Sequence, residues 1–184
     1  STQSKLSVLN RLFKLYDEDP ADLVFYLRDE NEANADEQGG CREQRKKYWT
    51  YALDIIKETH KDNDSFRNVN PSGGNWMNGF FGIGGFSIGC IANVDSAKVA
   101  MYFGKAKKEE NKKAFDMLFT HKKDIEKALG VSLMWSRGDD IKSSKISYQL
   151  NGVSVENETD WPQMARFHAE WSKKFYDVIV PYLT

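Results

Sequence analysis

Only two cysteines occur in the 184 residues, Cys41 and Cys90. Their separation matches no metal-ligand spacing such as CxxC, so neither a disulfide framework nor a cysteine-held zinc organises the fold, and a reducing, cytoplasmic compartment is expected. Charge of one sign is also lacking. Lys plus Arg total 26 against 27 Asp plus Glu, a net charge of −1, which supplies no global field to attract nucleic acid or an anionic membrane, so any basic surface must be local. Apolar runs are short, none approaching the roughly 20 residues of a membrane helix, and the polar start STQSK lacks the apolar segment of a signal peptide. A membrane is therefore not an expected partner.

Catalytic signatures are as scarce. Residues 66–90, FRNVNPSGGNWMNGFFGIGGFSIGC, invite a phosphate-loop reading. No lysine lies between Lys61 and Lys98 to meet the phosphate charge, however, and GIGGFSIG leads into a strand instead of opening a helix, so the Walker and dinucleotide fingerprints both fail. The glycines are expected to serve a tight hairpin or bulge, with Asn75 and Trp76 closing the turn. The competing reading is a ligand or partner approaching that backbone, with Asn70, Asn75, Trp76 and Asn78 supplying contacts. His60, His121 and His168 carry no nucleophile or metal signature, and His168 reads as packed or hydrogen-bonded. No cofactor is implied.

What the chain does have is aromatic bulk, with 11 Phe, 8 Tyr and 5 Trp, and enough length to bury roughly 70% of its unfolded surface as one domain. Leu6, Leu9, Phe13 and Tyr16 form one apolar stripe on a helix that needs a partner surface. Asp19 and Pro20 then open either a short helix or, through LVFYL, a strand. The acidic stretch 29–40 has nothing to bury and reads as a linker, which divides the chain into a connecting part, 1–40, and a single domain, 42–184.

Within that domain the pattern predicts a helix from Arg42 to about His60, with Tyr48, Ala52, Ile55 and Thr59 on one side and Trp49, Leu53 and Ile56 beside them. FSIGCIANV and KVAMYF read as strands around an Asp95–Ala97 loop. Lys108 to Gly130 reads as one helix stopped by glycine. VSLMW, KISYQL and, after an Asn151–Gly152 turn, VSV read as further strands. A last helix, capped by Asp160, ends near Pro181. The order helix, two to three strands, helix, two to three strands, helix predicts an α/β fold of α+β type, a mixed or antiparallel sheet covered by helices.

Two clusters carry the functional expectations. Around MWSRGDDIKSSKISY, Trp135, Arg137, Lys142, Ser143, Ser144 and Lys145 combine an indole with cations that could stack a base and hold phosphates, against Asp139 and Asp140 nearby. The solvated alternative is a hairpin tip with Trp135 in the core. GKAKKEENKK is a second basic run, interrupted by Glu109 and Glu110. A restriction-endonuclease type of metal site would place Asp95 with Lys105, but Phe103 stands where the acidic partner should precede the lysine, leaving Glu110 or Glu109 as the only substitutes.

The segments RKKYWTYALDIIKE, FRNVNPSGGNW, ENKKAFDMLFTHKKDIEKALG, LMWSRGDDIKSSKI and DWPQMARFHAEWSKKFYDVIVPYL, in that order, resemble the bacterial domain-of-unknown-function family numbered 4268 across residues 42–183. The resemblance brings no established activity. It implies a C-terminal part of longer proteins with a nuclease-like upstream domain. The chain's direct opening on a helical pattern agrees with that, and Lys5–Tyr16 would then be a connecting helix. The family pattern has an acidic residue near the middle of KVAMYF, where Ala100 or Met101 stands here, so the metal reading weakens further. The leading expectation is a noncatalytic accessory domain that contacts DNA or RNA, or positions a nuclease-like partner domain. The alternatives are a dimeric, secretion-chaperone-like protein-interaction module and a degenerate nuclease.

Overall fold

The computed structural model describes residues 40–184; the expected connecting helix, the segment around LVFYL and the acidic linker lie outside the described residues. Helix α1 (Gly40–Thr59) is followed by strands β1 (Trp76–Gly79), β2 (Phe86–Ala92) and β3 (Ser96–Phe103), helices α2 (Lys108–Thr120) and α3 (Lys122–Leu129), strands β4 (Met134–Ser136) and β5 (Ser144–Asn151), and helix α4 (Trp161–Ile179). The strands form one sheet in the order β1-β2-β3-β5-β4, antiparallel throughout. The α+β class is as the sequence predicts.

Because side chains alternate across a strand, the register sorts the sheet into two faces. Phe86, Ile88 and Cys90 face Phe103, Met101 and Val99, and the latter two face Ile146 and Tyr148. All of these belong to the main core, together with α1 and α4 residues such as Trp49, Leu53, Ile56, Met164 and Phe175 and with Phe115, Leu118, Ile125 and Leu129 of α2 and α3. This helix-covered face is called inner. Helices α1 and α4 run side by side in the same sense, tied near one end by Gln44 to Glu158 and near the other by His60 to Ser172.

Several local expectations need correction. On α1 the buried positions are Cys41, Arg45, Tyr48, Trp49, Ala52, Leu53 and Ile56, while Ile55 is exposed, so the stripe is rotated from the one expected. Trp76–Gly79 is an edge strand, not a turn closure, because all four residues pair with Ile88–Ile91. Ser96 and Ala97 already belong to β3, so the loop before it is shorter than expected. The Lys108–Gly130 helix breaks at His121, whose backbone leaves the helical region at φ −98 and ψ 8 and whose ring packs on Tyr182; Gly130 does end the second piece in the left-handed conformation. VSV forms no strand. Gly152 N–H donates to Asp95 O and Val155 N–H to Asn93 O, so this segment is stitched to the β2–β3 turn while Val153 and Val155 enter the core. Asp160 makes no cap bond to α4; its carboxylate accepts the Ser154 N–H instead.

The glycine-rich segment makes the β1–β2 connection. At Gly85 the backbone has φ +82, and a Cβ would lie 2.3 Å from Lys105 Cγ and 2.9 Å from its Cα, so the loop can pass the end of β3 only as glycine.

Candidate interaction surfaces

Three places gather the polar and charged residues that the sequence singles out. The first is interior. His168 Nε2–H donates to Ile91 O at 2.9 Å, which leaves Nδ1 to accept the Tyr48 hydroxyl at 2.6 Å. Burial pushes its pKa down to about 4, so the ring is neutral. Cys90 is fully buried beside it, and burial pushes the thiol up to about 12, which removes the thiolate a nucleophile would need. His60 pairs with Ser172 Oγ and Asn63 Oδ1, and its pKa too is lowered, chiefly by burial. These groups join α1, α4 and β2, and each is occupied in doing so.

The second place unites the two basic runs. Lys112, buried at the β4–β5 loop, donates from Nζ to Arg137 O (2.6 Å), Ser143 O (2.7 Å) and Ser144 Oγ (3.0 Å). Three donors meet three acceptors. Asn111 receives the Lys105 N–H and donates to Lys105 O and Lys142 O, so α2 grips both the end of β3 and the loop. Lys108 donates to Asp139 O. Arg137 forks onto Asp116, Nε to Oδ1 at 2.7 Å and Nη2 to Oδ2 at 2.9 Å, and also pairs with Asp139. A shallow groove of about 410 Å³ results, lined by Lys108, Glu109, Lys112, Lys113, Asp116 and Arg137. Residues 105–116 and 135–145 together hold eight cations against five carboxylates.

The expected hairpin site is nonetheless not one array. Trp135 lies against the rings of Phe115 and Phe119, and its Nε1–H donates to Glu126 at 3.0 Å, so the indole is packed on α2 and tied to α3. Ser144 is buried and held by Lys112 and Arg137 O. Lys145 pairs in register with Tyr102 and Ser136, on the sheet face opposite to Trp135. Lys142 is half-buried in the loop. Asn75 and Trp76 lie at the β1 edge, across the full width of the sheet from Trp135 on β4, about 19 Å at the usual strand spacing. The candidate metal residues are apart as well: Asp95 precedes β3 and Lys105 follows it, separated by about 25 Å of strand, with Glu110 exposed on the first turn of α2. Among the described residues, no group of three or more His, Cys, Asp or Glu comes together to hold a metal ion.

The third place was not expected as a site. The outer face of the sheet carries Trp76, Asn78, Ser87, Gly89, Ile91, Lys98, Ala100, Tyr102, Lys145 and Ser147, as the register requires. Ile91, Ala100 and Tyr102, with Trp76 at their side, form an apolar cluster separate from the main core, and among the described residues no helix joins it. Even so, Ala100 is 0%, Ser147 3%, Ile91 4% and Tyr102 5% exposed. The Tyr102 ring lies across Gly89, where a Cβ would be 2.7 Å from it. Asn78 is buried here, and its Oδ1 has no hydrogen-bond partner among the described residues, an arrangement that native structures seldom leave uncompensated. The signal in the sequence was the pair of small residues Ser87 and Gly89 at alternate positions of β2, with Ala100 opposite Gly89 on β3, which reads as weak patterning unless the register is known.

A family model described as "Domain of unknown function (DUF4268)" matches residues 44–183, from the first turns of α1 to the end of the described chain. No curated protein and no solved structure matches the chain. Among the described residues no helix is long and apolar enough to cross a membrane.

Proposed function

Since the chain belongs to the DUF4268 family, a domain of unknown function, its role has to be read from its own surfaces, and we propose a noncatalytic accessory domain that holds a protein segment on the outer face of its sheet and so positions whatever is joined to that segment. The supporting observation is the outer face itself: an apolar cluster with small neighbours and an unpartnered buried amide oxygen, on the side away from every described helix. Apolar surface of this kind, with an acceptor in its midst, suits a protein segment better than a polyanion. The order helix, three strands, helix, two strands, helix expected of secretion-chaperone-like interaction modules is met here with two helices in the middle position, an analogy of element order alone.

The test is the accessibility of the outer face. In the 184-residue chain carrying Ser147→Cys, labelling by a small thiol reagent is expected to be slow, with the buried Cys41 and Cys90 contributing little background. Labelling as fast as that of an exposed cysteine would overturn the docking role.

A second reading, contact with DNA or RNA, rests on the convergence of the two basic runs at the α2 groove. The exposed Lys107, Lys108 and Lys113 would carry it, since Arg137 is already paired with Asp116 and Asp139. Anisotropy of labelled single- and double-stranded nucleic acid across a salt series checks it: binding that weakens with salt and is lost in Lys108→Glu/Lys113→Glu supports contact.

A further inference from the structure

We infer that one end of the sheet takes single-stranded nucleic acid, with a base stacked on Phe80 and the phosphates carried along Lys105, Lys107, Lys108 and Lys113, a refinement that rests on the second reading above. Because the strands are antiparallel in the order β1-β2-β3-β5-β4, the end of β1, the start of β2 and the end of β3 share one end of the sheet with the β4–β5 loop. The β1–β2 loop, residues 80–85, therefore lies beside the segment that leads from β3 into α2. The two touch: Gly104 N–H donates to Gly85 O at 2.7 Å, and Lys105 Nζ lies 5.2 Å from the centre of the Phe86 ring. Lys107 and Lys108 follow at the start of α2, and Lys108 and Lys113 line the groove already described. Among the described residues, Lys105, Lys107 and Lys113 have no carboxylate partner.

Two features of the loop serve no purpose in the fold. Phe80 is 66% exposed, the most open large apolar side chain among the described residues, although its own N–H is held by Ser65 O at 2.9 Å. The backbone is anchored and the ring is open. An open ring beside cations is a platform for an unpaired base of any identity, whereas a duplex keeps its base faces stacked inside. Gly84 is the second feature. Its φ is not positive and a Cβ there would meet nothing within 4 Å, so, unlike Gly85, neither conformation nor packing requires glycine. Bare backbone at this position suits a ligand that approaches it closely. The same exposed peptide groups at Gly82 and Gly84 argue against a lipid, because hydrocarbon would leave them unsatisfied. Glu109 and Glu110 on the first turn of α2 oppose the lysines, so binding is expected at low salt and falls as salt rises.

The experiment follows the anisotropy of labelled oligo-dT and oligo-U of about a dozen nucleotides, and of a duplex of equal length, with the 184-residue chain across a salt series. It is repeated with Phe80→Ala, Phe80→Trp and Gly84→Val, whose urea midpoints are expected to match the parent because both sites are open. The expected result is tighter binding of single strands than of duplex, weakened roughly tenfold or more by Phe80→Ala, kept by Phe80→Trp and weakened by Gly84→Val. Since the ring carries no charge, Phe80→Ala should leave the salt slope unchanged, whereas Lys108→Glu/Lys113→Glu should lower the slope itself. Single-strand binding that ignores both Phe80→Ala and Gly84→Val overturns this site and leaves contact at the α2 groove standing. Duplex bound as tightly as single strands overturns the single-stranded ligand. No binding at low salt overturns both the refinement and the reading it rests on. Sedimentation with phosphatidylcholine–phosphatidylserine vesicles that is lost in Phe80→Ala, without any anisotropy change, overturns it in favour of a lipid surface.

Discussion

Tyr102 and Phe103 are neighbours on β3 and point to opposite faces of the same sheet, yet they are 5% and 0% exposed. Phe103 is surrounded by what the fold provides: Phe86 and Phe115 meet its ring edge-on at 5.3 and 5.9 Å, and the helices close over them. Tyr102 belongs to a cluster of three residues and a flanking tryptophan. An antiparallel sheet commonly leaves one face to water, and that face is then polar. Here the outer rows are Trp76–Ile91–Lys98–Gln149, Asn78–Gly89–Ala100–Ser147–Met134 and Ser87–Tyr102–Lys145–Ser136, so small and aromatic residues fill the middle of the face and Lys98 and Lys145 flank them.

The largest expected effect compares these two neighbours. Phe103→Ala empties a fully packed site and should cost about 3–5 kcal/mol in urea denaturation. Tyr102→Ala should cost about 2–3 kcal/mol if the outer face is covered, and under about 1 kcal/mol if water reaches it. The ratio of the two losses therefore measures coverage directly.

The inner face was largely legible in the sequence because its signal is periodic. The alternation of Phe86, Ile88 and Cys90 with Val99, Met101 and Phe103, and the stripe Met164, Phe167, Trp171 and Phe175, each point to one core without knowledge of register. The outer face was not, because glycine, serine and alanine give no hydrophobic period, and their meaning appears only when β2, β3 and β5 are aligned. The basic runs failed in a different way. Residues 105–113 and 137–145 are adjacent in space, but Lys112, Ser144 and Arg137 are spent on each other's backbone and on Asp116. Composition cannot tell a cation that awaits a phosphate from one that already satisfies a loop. Trp135 was read both ways, and its packing on Phe115 and Phe119 favours the core alternative.

Acid should separate the two faces next, because the buried histidines, His60 and His168, belong to the inner one. His168 in the folded chain binds a proton only near pH 4, whereas in the unfolded chain it does so near 6.5. Between those values the unfolded state holds more protons, so the stability contributed by neutral His168 is complete above about pH 6.5 and is lost as pH falls toward 4, on the order of 3 kcal/mol in all. His60 acts in the same direction, its pKa being lowered mainly by burial. Urea midpoints measured from pH 7.5 to 4.5 should fall accordingly, and His168→Gln should flatten the profile. A profile equally steep in the variant would move the acid sensitivity elsewhere.

The smallest effect is the most discriminating, since it adds atoms to the outer face without removing any. In Gly89→Ala the new methyl would lie 2.7 Å from the Tyr102 ring and 3.0 Å from Asn78 Oδ1. Something must move, and what can move depends on whether the face is covered. On an open face the ring swings outward into water, and alanine's lower backbone entropy in the unfolded chain offsets the shift, so the midpoint barely changes. Beneath a docked segment the ring has nowhere to go; the overpacking should cost about 1–2 kcal/mol and speed thiol labelling at Ser147→Cys as the segment is lifted.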